Sequence, residues 1–153
     1  MPAAVGQPAP DFTLRNQKNE PVSLADLKGH KALVVFIPHP FTGICEGEVC
    51  AIRDDQSALE SLDARVVVIT NYPRPANAKW AEQLGVNFPI LSDYWPHGDV
   101  ARAYGSFNES FGVTMRWSFV LDKDGVVREI VKTDALPEAR EHAAYQRALS
   151  SIV

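Results

Sequence analysis

The chain has only two cysteines in 153 residues, no long apolar run and no excess of basic side chains. Each shortage removes a class of answers. Two cysteines are too few for the disulfide frameworks that staple small secreted domains, so stability has to come from apolar burial. A chain of this length supplies it by withdrawing roughly two thirds of its unfolded surface from water. No segment approaches the ~20 apolar residues that cross a bilayer. The opening Met1-Pro-Ala-Ala-Val-Gly-Gln-Pro-Ala-Pro10 has neither the basic leader nor the apolar stretch of a signal peptide. The expectation is a cytoplasmic protein with no membrane partner. A formal net charge of -4 gives nucleic acid no electrostatic foothold. Internal repeats and low-complexity linkers are absent too, and the reading is one domain over residues 1–153.

The apolar residues that are present follow two periods. Ala32-Leu-Val-Val-Phe-Ile37 and Arg65-Val-Val-Val-Ile-Thr70 are β-branched runs of the kind that form strands covered on both faces. Phe12-Thr-Leu14 and Val22-Ser-Leu24 flank a polar stretch and predict a short hairpin. Trp117 to Leu121 and Val126 to Val131 flank Asp122-Lys-Asp-Gly125, a stronger hairpin signal, and Phe88 to Leu91 reads as a further short strand. Elsewhere the period lengthens. Val49, Ile52, Leu59 and Leu62 share a helical face, predicting a helix from about Cys45 to just before Arg65. Helices are also predicted over 76–84, ended by Gly85, over 99–104, and over 138–150, where Ala144, Tyr145, Ala148 and Leu149 align. Parallel strands crossed by helices, followed by an antiparallel hairpin and a closing helix, describe an α/β protein whose mixed central sheet resembles the thioredoxin-like fold.

The most informative break ends the Ala32–Ile37 run. Pro38 and Pro40 stop the strand, and Phe36-Ile-Pro-His-Pro-Phe-Thr-Gly-Ile-Cys45 delivers a thiol, with the Thr42 hydroxyl three residues earlier, to an expected helix start. The anion is the nucleophilic form of cysteine, and the unpaired N–H groups of a helix N-terminus favour it. A free cysteine with a pKa of about 8.5 is only about 3% thiolate at pH 7, and moving that pKa to about 6 gives roughly 90%, a gain near thirtyfold. Enzymatic accelerations start at about a millionfold, so donors fixed around the reacting atoms have to supply more than ionisation does. For attack on an O–O bond, Thr42 is expected to offer its O–H and the turn before Cys45 its backbone N–H groups. Pro38, which has no N–H, is expected to wall the sulfur off from water. Arg116 is the candidate cation. It begins the Trp117 strand, whose start lies near the helix N-terminus in such a sheet, and its guanidinium presents a planar fork of donors.

Pro38-x-x-x-Thr42-x-x-Cys45 together with Arg116 resembles the active-site motif of the peroxiredoxin family. The resemblance runs through Pro10-Asp-Phe-Thr-Leu14, Leu91-Ser-Asp-Tyr-Trp-Pro-His-Gly98, Ala103-Tyr-Gly105, Phe107-Asn-Glu109 and Phe119-Val-Leu-Asp122, and is closest to the AhpE (alkyl hydroperoxide reductase E) branch. It implies a thiol-dependent peroxidase that reduces hydrogen peroxide, organic hydroperoxides or peroxynitrite through a Cys45 sulfenic acid. Arg116 and Thr42 would orient the peroxide and Pro38 would shield the sulfur. It further implies a homodimer formed around the active-site loops, near Tyr94, Trp95 and Trp117, and a reductant such as thioredoxin, a mycoredoxin or mycothiol. No cofactor is expected. Nor is a metal: Cys45 and Cys50 have finger-like spacing, but His30, His39, His97 and His142 provide no His-x3-5-His partner.

Cys50 departs from the AhpE pattern and is similar instead to the second cysteine of Q-type (bacterioferritin comigratory) peroxiredoxins, which resolves the sulfenic acid as an intramolecular disulfide. In an ideal helix, residues five apart have α-carbons roughly 8.6 Å apart. A disulfide tolerates at most about 6.8 Å. The first turns would have to unwind, at a cost that Gly47 lowers by up to about 1 kcal/mol relative to alanine. Two alternatives stay open: a structural Cys50, with Cys45 regenerated directly by an external thiol, and a redox sensor that reacts once and stops. A disulfide reductase would want Cys-x-x-Cys, which Cys45-Glu-Gly-Glu48 lacks. Glu48, one turn after Cys45, is expected either to orient Arg116 or simply to stabilise the first helical turn. His39 and His97 are assigned no catalytic role.

Overall fold

The structure, a computed structural model, describes residues 2–152. β1 (Thr13–Arg15) and β2 (Pro21–Ser23) form the first hairpin, and Leu24–Leu27 turns as a short 3-10 helix. β3 (Lys31–Ile37) leads through the proline loop into α1 (Gly43–Asp54), followed by α2 (Gln56–Ser61), β4 (Ala64–Thr70), α3 (Arg74–Leu84), β5 (Ile90–Ser92) and α4 (Asp99–Tyr104). A small hairpin of β6 (Phe107–Asn108) and β7 (Val113–Thr114) precedes β8 (Trp117–Leu121), β9 (Val127–Lys132) and α5 (Ala143–Ser150). Seven strands make one mixed sheet in the order β2-β1-β5-β4-β3-β8-β9, parallel across β5-β4-β3 and antiparallel outside it. Among the described residues no helix is long and apolar enough to cross a membrane.

Successive side chains of a strand point to opposite faces, and β3 accordingly separates two cores. Leu33, Val35 and Ile37 meet Val49, Ile52, Leu59, Trp80, Tyr145 and Leu149 on one side, while Val34 and Phe36 meet Phe12, Tyr104 and Phe119 on the other. Each large apolar side chain buried this way contributes about 1.5–3 kcal/mol. The end of β3 is therefore fixed by packing on both faces, and α1 is seated by Val49 and Ile52 on the same core. Cys45 lies in that core with 0% of its surface exposed.

Two helices differ from expectation, each because of a long-range polar contact. The helix predicted to run to Arg65 is two helices. Asp55 takes φ -99° and ψ 7°, and its carboxylate accepts from His142 Nε2 at 3.0 Å and Gln146 Nε2 at 2.6 Å, so the axis breaks where that side chain is anchored. The closing helix begins at Ala143 rather than at 138. The Arg140 N–H donates to Glu48 Oε2 at 2.9 Å instead of to an upstream carbonyl, which holds 138–142 out of the helix. The strand expected from Phe88 starts at Ile90, just after Pro89, which has no N–H for a ladder. Gly85 ends α3 as expected, with a φ of 67° that a side chain would strain.

Candidate active site

From the end of β3, Pro38 to Phe41 carry the chain to Thr42, the residue that caps α1. Pro38 and Pro40 are buried, and Phe41 takes a left-handed backbone with φ 70°. The first helical hydrogen bond runs from the Glu46 N–H to the Thr42 carbonyl at 2.9 Å. The N–H groups of Gly43, Ile44 and Cys45 thus precede the ladder and have no partner within the helix. Thr42 departs from expectation. Its hydroxyl donates to the His39 carbonyl at 2.6 Å, so it offers an incoming molecule lone pairs rather than a proton. His39 itself is held below its ordinary pKa, first by burial and then by the nearby Arg116 charge, and is neutral at pH 7.

Arg116, immediately before β8, places Nη1 3.1 Å from Cys45 Sγ and 2.6 Å from Glu48 Oε1, while its Nε donates to the Leu136 carbonyl. Cys45, Glu48 and Arg116 therefore meet in space, with Thr42 at the helix cap and Pro38 at the strand end before it. Glu48 does touch Arg116, as the first of its two sequence readings required.

One member of this cluster escaped the sequence reading. Arg140, with a side chain only 1% exposed, clasps Glu48 through Nε to Oε2 and Nη2 to Oε1, each at 2.8 Å. Its Nη1 donates to the Phe36 carbonyl at 2.8 Å and to Ser118 Oγ at 3.0 Å, and Ser118 Oγ lies 2.8 Å from the Tyr145 hydroxyl. A signal was available. Arg140, Ala144 and Ala148 fall four residues apart, which puts a charge on the apolar face of the predicted closing helix.

Burial alone would raise the Glu48 pKa, but the hydrogen bonds and charge of Arg140, joined by the charge of Arg116, outweigh it and hold the carboxyl below its ordinary value. A buried ion cluster tolerates loss of one partner badly, so Glu48→Gln is expected to cost about 3–5 kcal/mol of unfolding free energy at neutral pH. Because the folded pKa lies below the unfolded 4.5, the wild-type advantage is present above that pH and is lost as the pH falls through the folded value. Urea unfolding of both proteins at about pH 7 and about pH 3 checks this; an equal gap at both would contradict it.

Cys50 is half-buried in the same unbroken helix as Cys45, and both thiols are free. Gly47 lies between them. A Cβ there would meet nothing within 4 Å, so packing does not require a glycine at this point.

Comparison with known proteins adds relatives to this geometry. The AhpC/TSA family matches residues 5–130. Alkyl hydroperoxide reductase E of Mycobacterium tuberculosis is 42% identical over 149 residues, covering 97% of each chain. The putative peroxiredoxin bcp of Haemophilus influenzae is 33% identical over 135 residues, covering 84% of this chain and 86% of that one. The crystal structure of Enterococcus faecalis AhpC shares the fold with a TM-score of 0.88 at 24% identity, covering 97% of this chain and 92% of that one.

Proposed function

The chain belongs to the AhpC/TSA peroxiredoxin family and is a thiol-dependent peroxidase, and on that premise we propose that Cys45 is its peroxidatic sulfur and Cys50 the thiol that resolves it. The reading is carried by the contact of Arg116 Nη1 with Cys45 Sγ, 3.1 Å, at the first turn of α1. The Cys45 thiolate attacks one peroxide oxygen; an S–O bond forms as the O–O bond breaks, and charge moves from sulfur to the departing oxygen. That oxygen takes a proton and leaves as water or an alcohol. Arg116 supplies a guanidinium already fixed beside the sulfur by Glu48 and the Leu136 carbonyl, so it need not reorganise as charge develops. The free N–H groups at the helix start add donors, and the Thr42 lone pairs accept the peroxide O–H, which orients the O–O bond for attack. Pro38 limits water at the sulfur.

In the second half-reaction the Cys50 thiolate attacks the sulfenic sulfur, an S–S bond forms as the S–O bond breaks, and the departing hydroxide takes a proton from solvent to leave as water. The resulting disulfide is reduced by an external dithiol or thiol such as thioredoxin, a mycoredoxin or mycothiol. Unwinding of the first turns of α1 brings the two sulfurs together, and a glycine that packing does not require, placed between them, supports that reading. Substrates are hydrogen peroxide and organic hydroperoxides, with peroxynitrite a third oxidant of the same chemistry. The exposed Tyr94, Trp95 and Phe111 offer the aromatic face of a homodimer, with His97 edge-on to Tyr94 and its Nε2 2.7 Å from the carbonyl of Gly112, the residue after Phe111. Two cysteines, too few for a secreted disulfide framework, suit the cytoplasm.

The test is one equivalent of hydroperoxide followed by mass mapping. Loss of two hydrogens and a peptide linking Cys45 to Cys50 is expected; a persistent sulfenic or sulfinic acid with Cys50 still free would return the protein to direct reduction by an external thiol. Gly47→Ala restores about 1 kcal/mol of helix propensity and is expected to slow disulfide formation about fivefold.

A further inference from the structure

We propose, on the reading that Cys50 resolves Cys45, that Glu48 and Arg140 form a latch on α1 whose release sets how long the sulfenic acid persists. Glu48 lies between the two cysteines, inside the stretch that has to unwind. Its carboxylate accepts four hydrogen bonds: one from Arg116 Nη1 and three from the Nε, Nη2 and backbone N–H of Arg140. Arg140 is itself tied to β3 through the Phe36 carbonyl and to β8 through Ser118 Oγ, so the anchor is the central sheet rather than a loop. Just past the end of α1, Asp55 is tied to His142 and Gln146 of the same C-terminal segment.

Beside those ties, Gly43, Ile44, Gly47 and Ala51 of α1 line a cavity of about 250 Å³ whose wall also includes Glu48, Arg140 and Tyr145. Ile44 aside, α1 presents only glycine, alanine and the paired Glu48 on that side, so the Glu48 tie is its main restraint there. Val49 and Ile52 hold the opposite face in the core, in wild type and latch variants alike. Letting go of Glu48 removes the polar restraint on the turns around Cys45 and Cys50, leaving the burial of Cys45 and Val49 as the restraint common to all variants, while the Asp55 tie keeps the end of the helix in place; the barrier to the motion the disulfide needs is thereby lowered.

The two fates of the sulfenic acid then divide at the latch. While it is shut, the oxidised sulfur stays beside Arg116, where a second hydroperoxide can add its oxygen, leaving sulfinic acid and an alcohol or water. Once it opens, Cys50 displaces the hydroxyl as water and the disulfide forms. Arg140 acts only through Glu48, which makes it a positioning residue.

The experiment forms the sulfenic acid with one equivalent of hydroperoxide in wild type, Glu48→Gln, Arg140→Met and the double variant, and follows disulfide formation by quenched mass mapping. Tryptophan fluorescence is a parallel signal, since Trp80 Nε1 reaches Glu46 in the first turn of α1 at 3.4 Å. Rates are normalised to the sulfenic acid formed, because Glu48 also positions Arg116. Each single variant is expected to form the disulfide at least about tenfold faster than wild type, and the double variant no faster than the singles, as befits one shared ion pair. The sulfinic fraction per turnover should fall in step. Unchanged or slower rates, or additive gains, overturn the latch, whereas absence of any Cys45–Cys50 disulfide in all four proteins removes the resolving reading and the latch with it. Should the variants not fold, reduced wild type decides: hydrogen exchange at high pH is expected to give an opening rate for residues 46–50 close to the rate of disulfide formation. Opening faster than that by about a hundredfold would show that release is not the slow step.

Discussion

Replacing Cys45 with serine is expected to abolish peroxide turnover, leaving hydroperoxide consumption at least about a millionfold below wild type. The exchange keeps side-chain size, and the position is fully buried in a core that Val49, Ile52 and Trp80 complete, so the fold should survive it. What disappears is the polarisable anion, because an alcohol is not ionised near neutrality and its oxygen is a poor nucleophile toward O–O bonds. Arg116 would still be present, paired to Glu48 by the same 2.6 Å contact, so any residual rate would measure the donors without the sulfur. Cys50 remains as a half-buried thiol without the Arg116 contact that Cys45 has, and should react slowly and only once. Hydroperoxide loss under excess dithiol, beside a far-ultraviolet spectrum showing intact structure, is the measurement. Turnover within tenfold of wild type would move the chemistry to another residue.

The contrast between what could and could not be read in the chain follows from how far apart the interacting residues lie. β3 is legible because every residue in Ala32–Ile37 is apolar, and the loop after it because prolines end strands. The approach of Arg116 to Cys45 could be inferred, since it needs only the strand order of a mixed sheet. The break at Asp55 and the late start of α5 could not. Both depend on polar contacts spanning nearly the whole fold, Asp55 to His142 across 87 positions and Glu48 to Arg140 across 92. Periodicity reports which face of a helix is apolar, but a single buried carboxylate can hold a segment out of a helix that its pattern favours. Thr42 is a smaller instance. Its residue type announces a hydroxyl, while the direction of the proton is decided by the His39 carbonyl, brought within 2.6 Å by the turn at Phe41. The pairing of Arg116 with Cys45 was therefore more legible than the polar frame around it.

Arg116→Met should be the second most damaging change, slowing oxidation of Cys45 by peroxide by about 10²–10³-fold, the usual consequence of removing one preorganised donor from a site of developing charge. The variant should fold, because Glu48 keeps its three hydrogen bonds from Arg140 and no buried carboxylate is stranded. Arg116→Lys is expected to recover only part of the loss. An ammonium restores charge but not a planar fork able to reach Sγ and Glu48 Oε1 together from one nitrogen while another nitrogen holds the Leu136 carbonyl. Two roles can be separated by measuring alkylation of Cys45 by iodoacetamide alongside its oxidation. Alkylation responds to how much thiolate is present, and that quantity can change by no more than about thirtyfold between an ordinary and a strongly activated thiol at pH 7. Peroxide cleavage also responds to stabilisation of the departing oxygen, which alkylation does not share. The methionine variant should therefore lose more in oxidation than in alkylation, by about tenfold or more. Equal losses would reduce Arg116 to a counter-ion for sulfur and shift the burden of the leaving oxygen onto the N–H groups of Gly43, Ile44 and Cys45.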